Sequence, residues 1–111
     1  MKVYLIGPIN GCTDAECNDW RDLVTRLLPK CEMLNPMRRD YRGRELDPAI
    51  TYELVNGDLK DCDDCDVAIA FRPKPSDGSA MEQFYLYKVL DKPVITIIPK
   101  GTKPSPWTVY F

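Results

Sequence analysis

One run of residues limits the fold more than any other. DVAIAF, residues 66–71, carries no polar side chain after its first residue. A continuous apolar run of that length suits a strand covered on both faces. Three further short apolar runs share the chain: KVYLIG at 2–7, CEML at 31–34 and KPVITIIP at 92–99. The segments between them have helical signals. Thr13 and Glu16 form a capping-box pattern, after which Trp20, Leu23, Val24, Leu27 and Leu28 recur at helical spacing until Pro29. Asp47-Pro48 is a cap followed by proline at the first helical position, and Tyr52, Val55, Leu59 and Cys62 provide an apolar face. SAMEQFYLYKVL, 79–90, reads as a third helix that places Glu82 in its first turn. Residues 36–47 read as a polar, basic loop, and 107–110 as a short edge strand.

Strand and helix therefore alternate, which predicts a parallel sheet with helices on both faces. In such a sheet ligands bind beyond the carboxyl ends of the strands, at the switch point. The segments at that end are 7–13, 35–47 and 72–79, and Glu82 follows the last of them. The 111 residues suit one domain, 1–111, with no linker or repeat.

Several function classes are excluded. The formal net charge of -2 gives no bulk attraction for a nucleic-acid polymer, and no apolar run approaches a membrane span. MKVYLIGPING lacks the long apolar core and cleavage site of a signal peptide and reads as a first buried strand. The five cysteines (Cys12, Cys17, Cys31, Cys62 and Cys65) are odd in number and irregularly spaced, so free thiols in a reducing cytoplasm are expected. Cys62 and Cys65 close a helix rather than open one, where no helix N-terminus lowers a thiol pKa. They read as buried cysteines at a chance spacing. With no histidine in the chain, His-based triads and most catalytic zinc sites are ruled out. Any catalysis rests on carboxylates, Tyr, Lys, Cys or Ser.

The candidate residues each have two readings. Glu82 near a helix start is either a dipole-stabilised carboxylate of purely structural value, worth ~0.3–1 kcal/mol, or a nucleophile for an electrophilic sugar carbon. Asp58 borders the apolar stripe of the second helix. It is either a surface acid or a partly buried one whose raised pKa suits a general acid. Asp61, Asp63 and Asp64 read as solvated acids. Tyr4 reads as a core strand tyrosine with its hydroxyl at an edge. GPING, 7–11, offers backbone N–H groups to a phosphate or ribose hydroxyl. Arg38, Arg39, Arg42 and Arg44 either clamp a phosphate or decorate a solvated loop.

Taken together, VYLIGPING (3–11), GDLKDCDDCDVAIAF (57–71) and SDGSAMEQ (76–83) resemble the nucleoside 2-deoxyribosyltransferase family, including its nucleotide N-glycosidase branch. The order and spacing of Asp58, Asp66, Ser76 and Glu82 agree with that family, and the likeness covers most of 2–99. The resemblance implies a flavodoxin-like (Rossmann-like) three-layer α/β sandwich with a parallel sheet of four to five strands. It implies cleavage or exchange of the N-glycosidic bond of a (deoxy)nucleoside or its 5′-monophosphate. Glu82 would be the nucleophile, Asp58 would protonate or orient the departing base, and Tyr4 would position Glu82. Gly7, Pro8, Ile9, Asn10, Ser76, Asp77, Gly78 and Arg38 would line the substrate. Gly7 and Gly78 would let the backbone approach the sugar. Ser76 would tolerate a 5′-phosphate, whereas an acid such as Asp77 would repel one. No metal or organic cofactor is implied, and the partner is a small-molecule nucleoside or nucleotide. A homo-oligomer with shared active sites is also implied, with Trp107 and Tyr110 as the candidates to complete a neighbour's pocket. The chain departs from the family pattern at Pro8 and Asn10, where the phosphate-binding branch often has Ser and Arg. It departs again at Gln83, where a small residue is usual. These departures keep open a non-catalytic nucleotide-binding or sensor protein on the same fold.

Overall fold

In the computed structural model, which describes residues 1–111, the four apolar runs form one all-parallel sheet. Its strands are β1 (Lys2–Ile6), β2 (Glu32–Leu34), β3 (Val67–Phe71) and β4 (Val94–Ile97), in the order β2-β1-β3-β4. This is the flavodoxin-like order. The chain steps from β1 out to β2, then crosses back to place β3 on the other side of β1, so the switch point lies between β1 and β3. Leu5 and Ile6 of β1 pair in register with Ile69 and Ala70 of β3.

The sheet is a middle layer because its side chains alternate between two apolar contacts. Val3, Leu5 and Ile69 pack against Trp20, Val24 and Leu28 of the α1 side, where α1 spans Asp14–Leu27. Tyr4, Ile6, Ala68 and Ala70 face the opposite way. They form the larger core with Cys62 of α2 (Pro48–Asp64) and with Leu86, which follows α3 (Asp77–Phe84). Burying each such large apolar side chain contributes about 1.5–3 kcal/mol. No helix is long and apolar enough to cross a membrane.

Helix starts follow their caps. Thr13 completes the capping box with Glu16 at the head of α1. Asn35, Asp47 and Ser105 each accept a backbone N–H two residues on, and each is followed by proline. Proline at the first helical position loses nothing, because its missing N–H would have had no partner there. The consequence corrects two expectations. Residues 36–47 are not entirely loop, since Pro36–Arg39 forms a 3-10 turn. The expected edge strand at 107–110 is a helix, α4 (Pro106–Tyr110), so the sheet has four strands and no fifth.

Two helical faces also differ from the apolar spacing, and the third helix differs in its bounds. On α1, Leu23 and Leu27 are exposed, whereas Cys17 and Arg21 are buried. On α2, Tyr52 and Val55 are exposed and Asp61 and Cys62 turn inward. The third helix starts two residues early, at Asp77 with Ser76 as its cap, and widens into a π-helical turn over Tyr85–Val89.

Candidate active site

The carboxyl ends of β1 and β3 open into a cleft of about 130 Å³. Three loops wall it, as the fold rule requires. Gly7, Ile9 and Asn10 come from the loop after β1; Arg39, Tyr41, Arg42 and Glu45 from the segment before α2; Ser76, Gly78 and Ser79 from the head of α3. Leu54 and Asp58 reach in from α2 and Glu82 from α3.

Glu82 lies deeper in its helix than the sequence suggests. It is the sixth residue of α3, because Ser76 caps the helix and Asp77 opens it. The helix dipole acts mainly on the first turn, so it does not set the charge of Glu82. Burial does: the carboxyl is pushed up to about 8 by loss of water, then by the nearby charge of Asp58. Contact with Tyr4 and the charge of Arg21 pull the other way. Oε2 is buried with no hydrogen-bond partner. Tyr4 is itself fully buried on β1, and burial together with the Glu82 charge holds its phenol well above the usual value.

Asp58 is also raised by burial, but Arg39 counters this. Arg39 Nη2 lies 2.9 Å from Asp58 Oδ1 and 2.6 Å from Asp61 Oδ2. Asp61 is therefore not the solvated acid expected of it: it is 6% exposed and takes Arg38 as well, at 2.6 Å. The 3-10 turn brings the two adjacent arginines onto α2, and their guanidinium groups offset the cost of burying that carboxylate.

The other arginines of this segment are similarly engaged. Arg42 binds Asp14 and Asp40 at 2.6 and 2.7 Å and donates to the Cys12 carbonyl at 3.1 Å. It ties the segment to the head of α1. Arg44 stands over the Tyr41 ring. The basic run is thus a set of structural ties rather than a free phosphate clamp.

The proposed substrate-contacting residues divide between the cleft and its surroundings. Gly7, Ile9, Asn10, Ser76 and Gly78 line it, with Asp58 and Glu82. Pro8 is buried behind the loop. Arg38 turns to Asp61 outside the lining, and the exposed Asp77 lines a neighbouring cavity instead. The two cleft glycines serve different purposes. A Cβ on Gly7 would sit 2.7 Å from Trp20 Cζ2 and 3.3 Å from the Phe71 carbonyl, so this glycine permits close packing behind the loop. A Cβ on Gly78 would stand 3.7 Å from Glu82 Oε1, so its absence keeps the approach to that carboxyl open.

Four features escaped the sequence reading. Glu45 lines the cleft and has a buried Oε1 with no partner. Ser79, buried on α3, accepts from Ser76 Oγ at 2.9 Å. Tyr41 lines the outer wall. Arg21, fully buried in α1, donates to the Cys17 and Gly7 carbonyls at 2.6 and 3.0 Å. It places a cation beneath the loop after β1 and near Glu82. Its sequence signal was its place on the inward face, four residues after Cys17.

Cys62 and Cys65 are buried free thiols, both raised mainly by burial. Cys65 Sγ donates to the Cys62 carbonyl at 3.3 Å. Neither has the electropositive, exposed setting of a reactive thiol.

Neither a scan against protein-family models nor a search of curated proteins finds a match to this chain.

Proposed function

We propose that the cleft cleaves or exchanges the N-glycosidic bond of a (deoxy)nucleoside or its 5′-monophosphate, as in the nucleoside 2-deoxyribosyltransferase family that the three sequence motifs resemble. The observation that carries this reading is the pair of buried carboxyl oxygens without partners in one small cleft, Glu82 Oε2 and Glu45 Oε1. Buried polar atoms without partners are costly. A sugar supplies hydroxyl donors, and the cleft volume of about 130 Å³ suits a sugar-sized group with the base projecting outward.

The chemistry follows retaining-glycosidase logic. A Glu82 oxygen forms a bond to the anomeric carbon as the C–N bond breaks. The bonding electrons leave with the base nitrogen, which takes a proton from Asp58. Water or a second base then displaces the Glu82 ester and restores the carboxylate. Positive charge developing on the sugar ring stabilises the Glu82 anion, which the empty cleft disfavours. Tyr4 positions Glu82, and Arg39 holds Asp58. The exposed aromatic residues of α4, Trp107 and Tyr110, are available to a second copy in a homo-oligomer.

The test is a chromatographic screen for free base, using ribo- and deoxynucleosides and their 5′-monophosphates with and without a second base. Release without acceptor makes the protein a hydrolase; exchange only with acceptor makes it a transferase. Binding with no release anywhere defeats the proposal and leaves a nucleotide-binding protein.

A further inference from the structure

Two buried arginines near the sheet's carboxyl end lack an ion pair: Arg21, whose guanidinium donates to the Cys17 and Gly7 carbonyls, and Arg72. Arg72 follows β3, is 6% exposed and takes part in none of the molecule's ion pairs. Its one side-chain hydrogen bond goes from Nη1 to the neutral amide oxygen of Gln83. Gln83 is held in turn by donating to Thr96 Oγ1 of β4 at 3.2 Å. Arg72 Nε is buried with no acceptor. A buried guanidinium without a counter-ion is unfavourable unless something anionic meets it.

A cavity of about 330 Å³ lies against Arg72, between the loop that leads into α3 and the segment that leads into α4. Lys74 and Lys103 join Arg72 in its lining, and Asp77 is the one carboxylate there. Ser105 and Thr108 add hydroxyl groups. Lys74 is shared with Glu16 at 3.4 Å, so Arg72 and Lys103 are the cations that face the one carboxylate, and the cavity remains positive. The arginines of 38–44, by contrast, are engaged by carboxylates or a tyrosine ring.

We propose that this cavity is a phosphate-binding site, with the buried Arg72 at its inner wall and Lys74 and Lys103 on its outer side. Guanidinium and ammonium donors around one pocket match a tetrahedral dianion. The cavity shares Ser76 with the cleft. The phosphate therefore belongs either to a free anion or to a nucleotide whose sugar occupies the cleft. The inference stands apart from the glycosidic reaction, since ion binding needs no turnover.

Calorimetric titration with inorganic phosphate, in phosphate-free buffer, tests it. Wild type should bind saturably. Lys103→Glu, an exposed change, should weaken binding about tenfold or more, and Arg72→Gln should do the same if it folds. Lys30→Glu, the same charge change on the connection at the opposite end of the sheet, should leave it unaltered. Adenosine 5′-monophosphate that displaces phosphate where adenosine does not would assign the site to a cleft-bound nucleotide. Simultaneous binding of adenosine 5′-monophosphate and phosphate would assign it to a separate anion. No saturable binding to wild type would overturn the proposal. So would equal weakening by Lys103→Glu and Lys30→Glu, or loss of binding on Arg42→Gln with Lys103→Glu unaffected.

Discussion

Arg39 Nη2 lies 2.9 Å from Asp58 Oδ1, and this contact sets Asp58 apart from Glu82 in the same cleft. Burial raises both, but Asp58 has a paired guanidinium to lower it again, whereas Glu82 has Tyr4 and the charges of Arg21 and Arg72 but no ion pair. In the empty cleft the proton therefore resides on Glu82 and the negative charge on Asp58. Base departure needs the reverse. Two carboxyls pushed apart by their surroundings are the usual mark of an acid and nucleophile pair.

The pH dependence of turnover follows. Glu82 must be ionised to attack, and its carboxyl is pushed up to about 8. The reactive arrangement holds one proton between the two groups, on Asp58, so the value of kcat/KM should fall as pH rises through that region and the shared proton is lost. A profile that is flat from pH 5 to 9 would remove Glu82 from the nucleophile's role.

Stability should report on the same carboxyl. Below pH 4.5, the ordinary value for Glu82, the carboxyl is protonated folded or unfolded and contributes no pH dependence. Between 4.5 and about 8 the unfolded chain gives up the proton while the folded chain keeps it, so rising pH destabilises the fold. Glu82→Gln removes this penalty. The stability advantage of the variant, and with it the Tm difference, should widen across that interval, toward roughly a few kcal/mol at its upper end. A constant Tm difference from pH 4 to 8 would mean that Glu82 is not protonated in the folded cleft.

Arg39→Met tests the tie to Asp58. Without the guanidinium, Asp58 keeps its proton to higher pH, so the acid limb of the pH profile, where activity rises, should move to higher pH. Leaving Asp58 and Asp61 short of a partner should cost about 1–3 kcal/mol. Gly57→Ala is the subtler version, because the new Cβ would stand 2.5 Å from Arg39 Nε and force that side chain to shift. It should move the limb the same way at a smaller stability cost.

Gly7→Ala separates packing from substrate contact. Its Cβ would point at Trp20 and the Phe71 carbonyl, so the variant should lose about 1–3 kcal/mol by overpacking. Denaturant unfolding measures this. Unchanged stability with weakened substrate affinity would place the glycine requirement in the cleft instead.

The four strands, their parallel arrangement and the position of Glu82 at the cleft were legible because apolar runs and cap residues act locally. VAIAF could only be an interior strand, and Asp47-Pro48 marked the start of α2 correctly. The same cap-and-proline signal stood at Asn35-Pro36 and Ser105-Pro106, and it was the local rule that applied there too. What stayed illegible depended on distant partners. Asp61 and Arg21 are charged residues in buried positions, and only Arg38 and Arg39 in one case, and backbone carbonyls in the other, make that burial tolerable. Apolar spacing alone therefore chose Leu23, Tyr52 and Val55 over the charged residues that turn inward. Glu45 gave no signal, because its importance lies in one buried oxygen, Oε1, that has no partner.

The most direct measurement is base release by wild type and by Glu82→Ala from the nucleoside and 5′-monophosphate panel, with circular dichroism to check the fold. The account expects free base from wild type, and none from a folded Glu82→Ala protein. Equal release by the two proteins would contradict it.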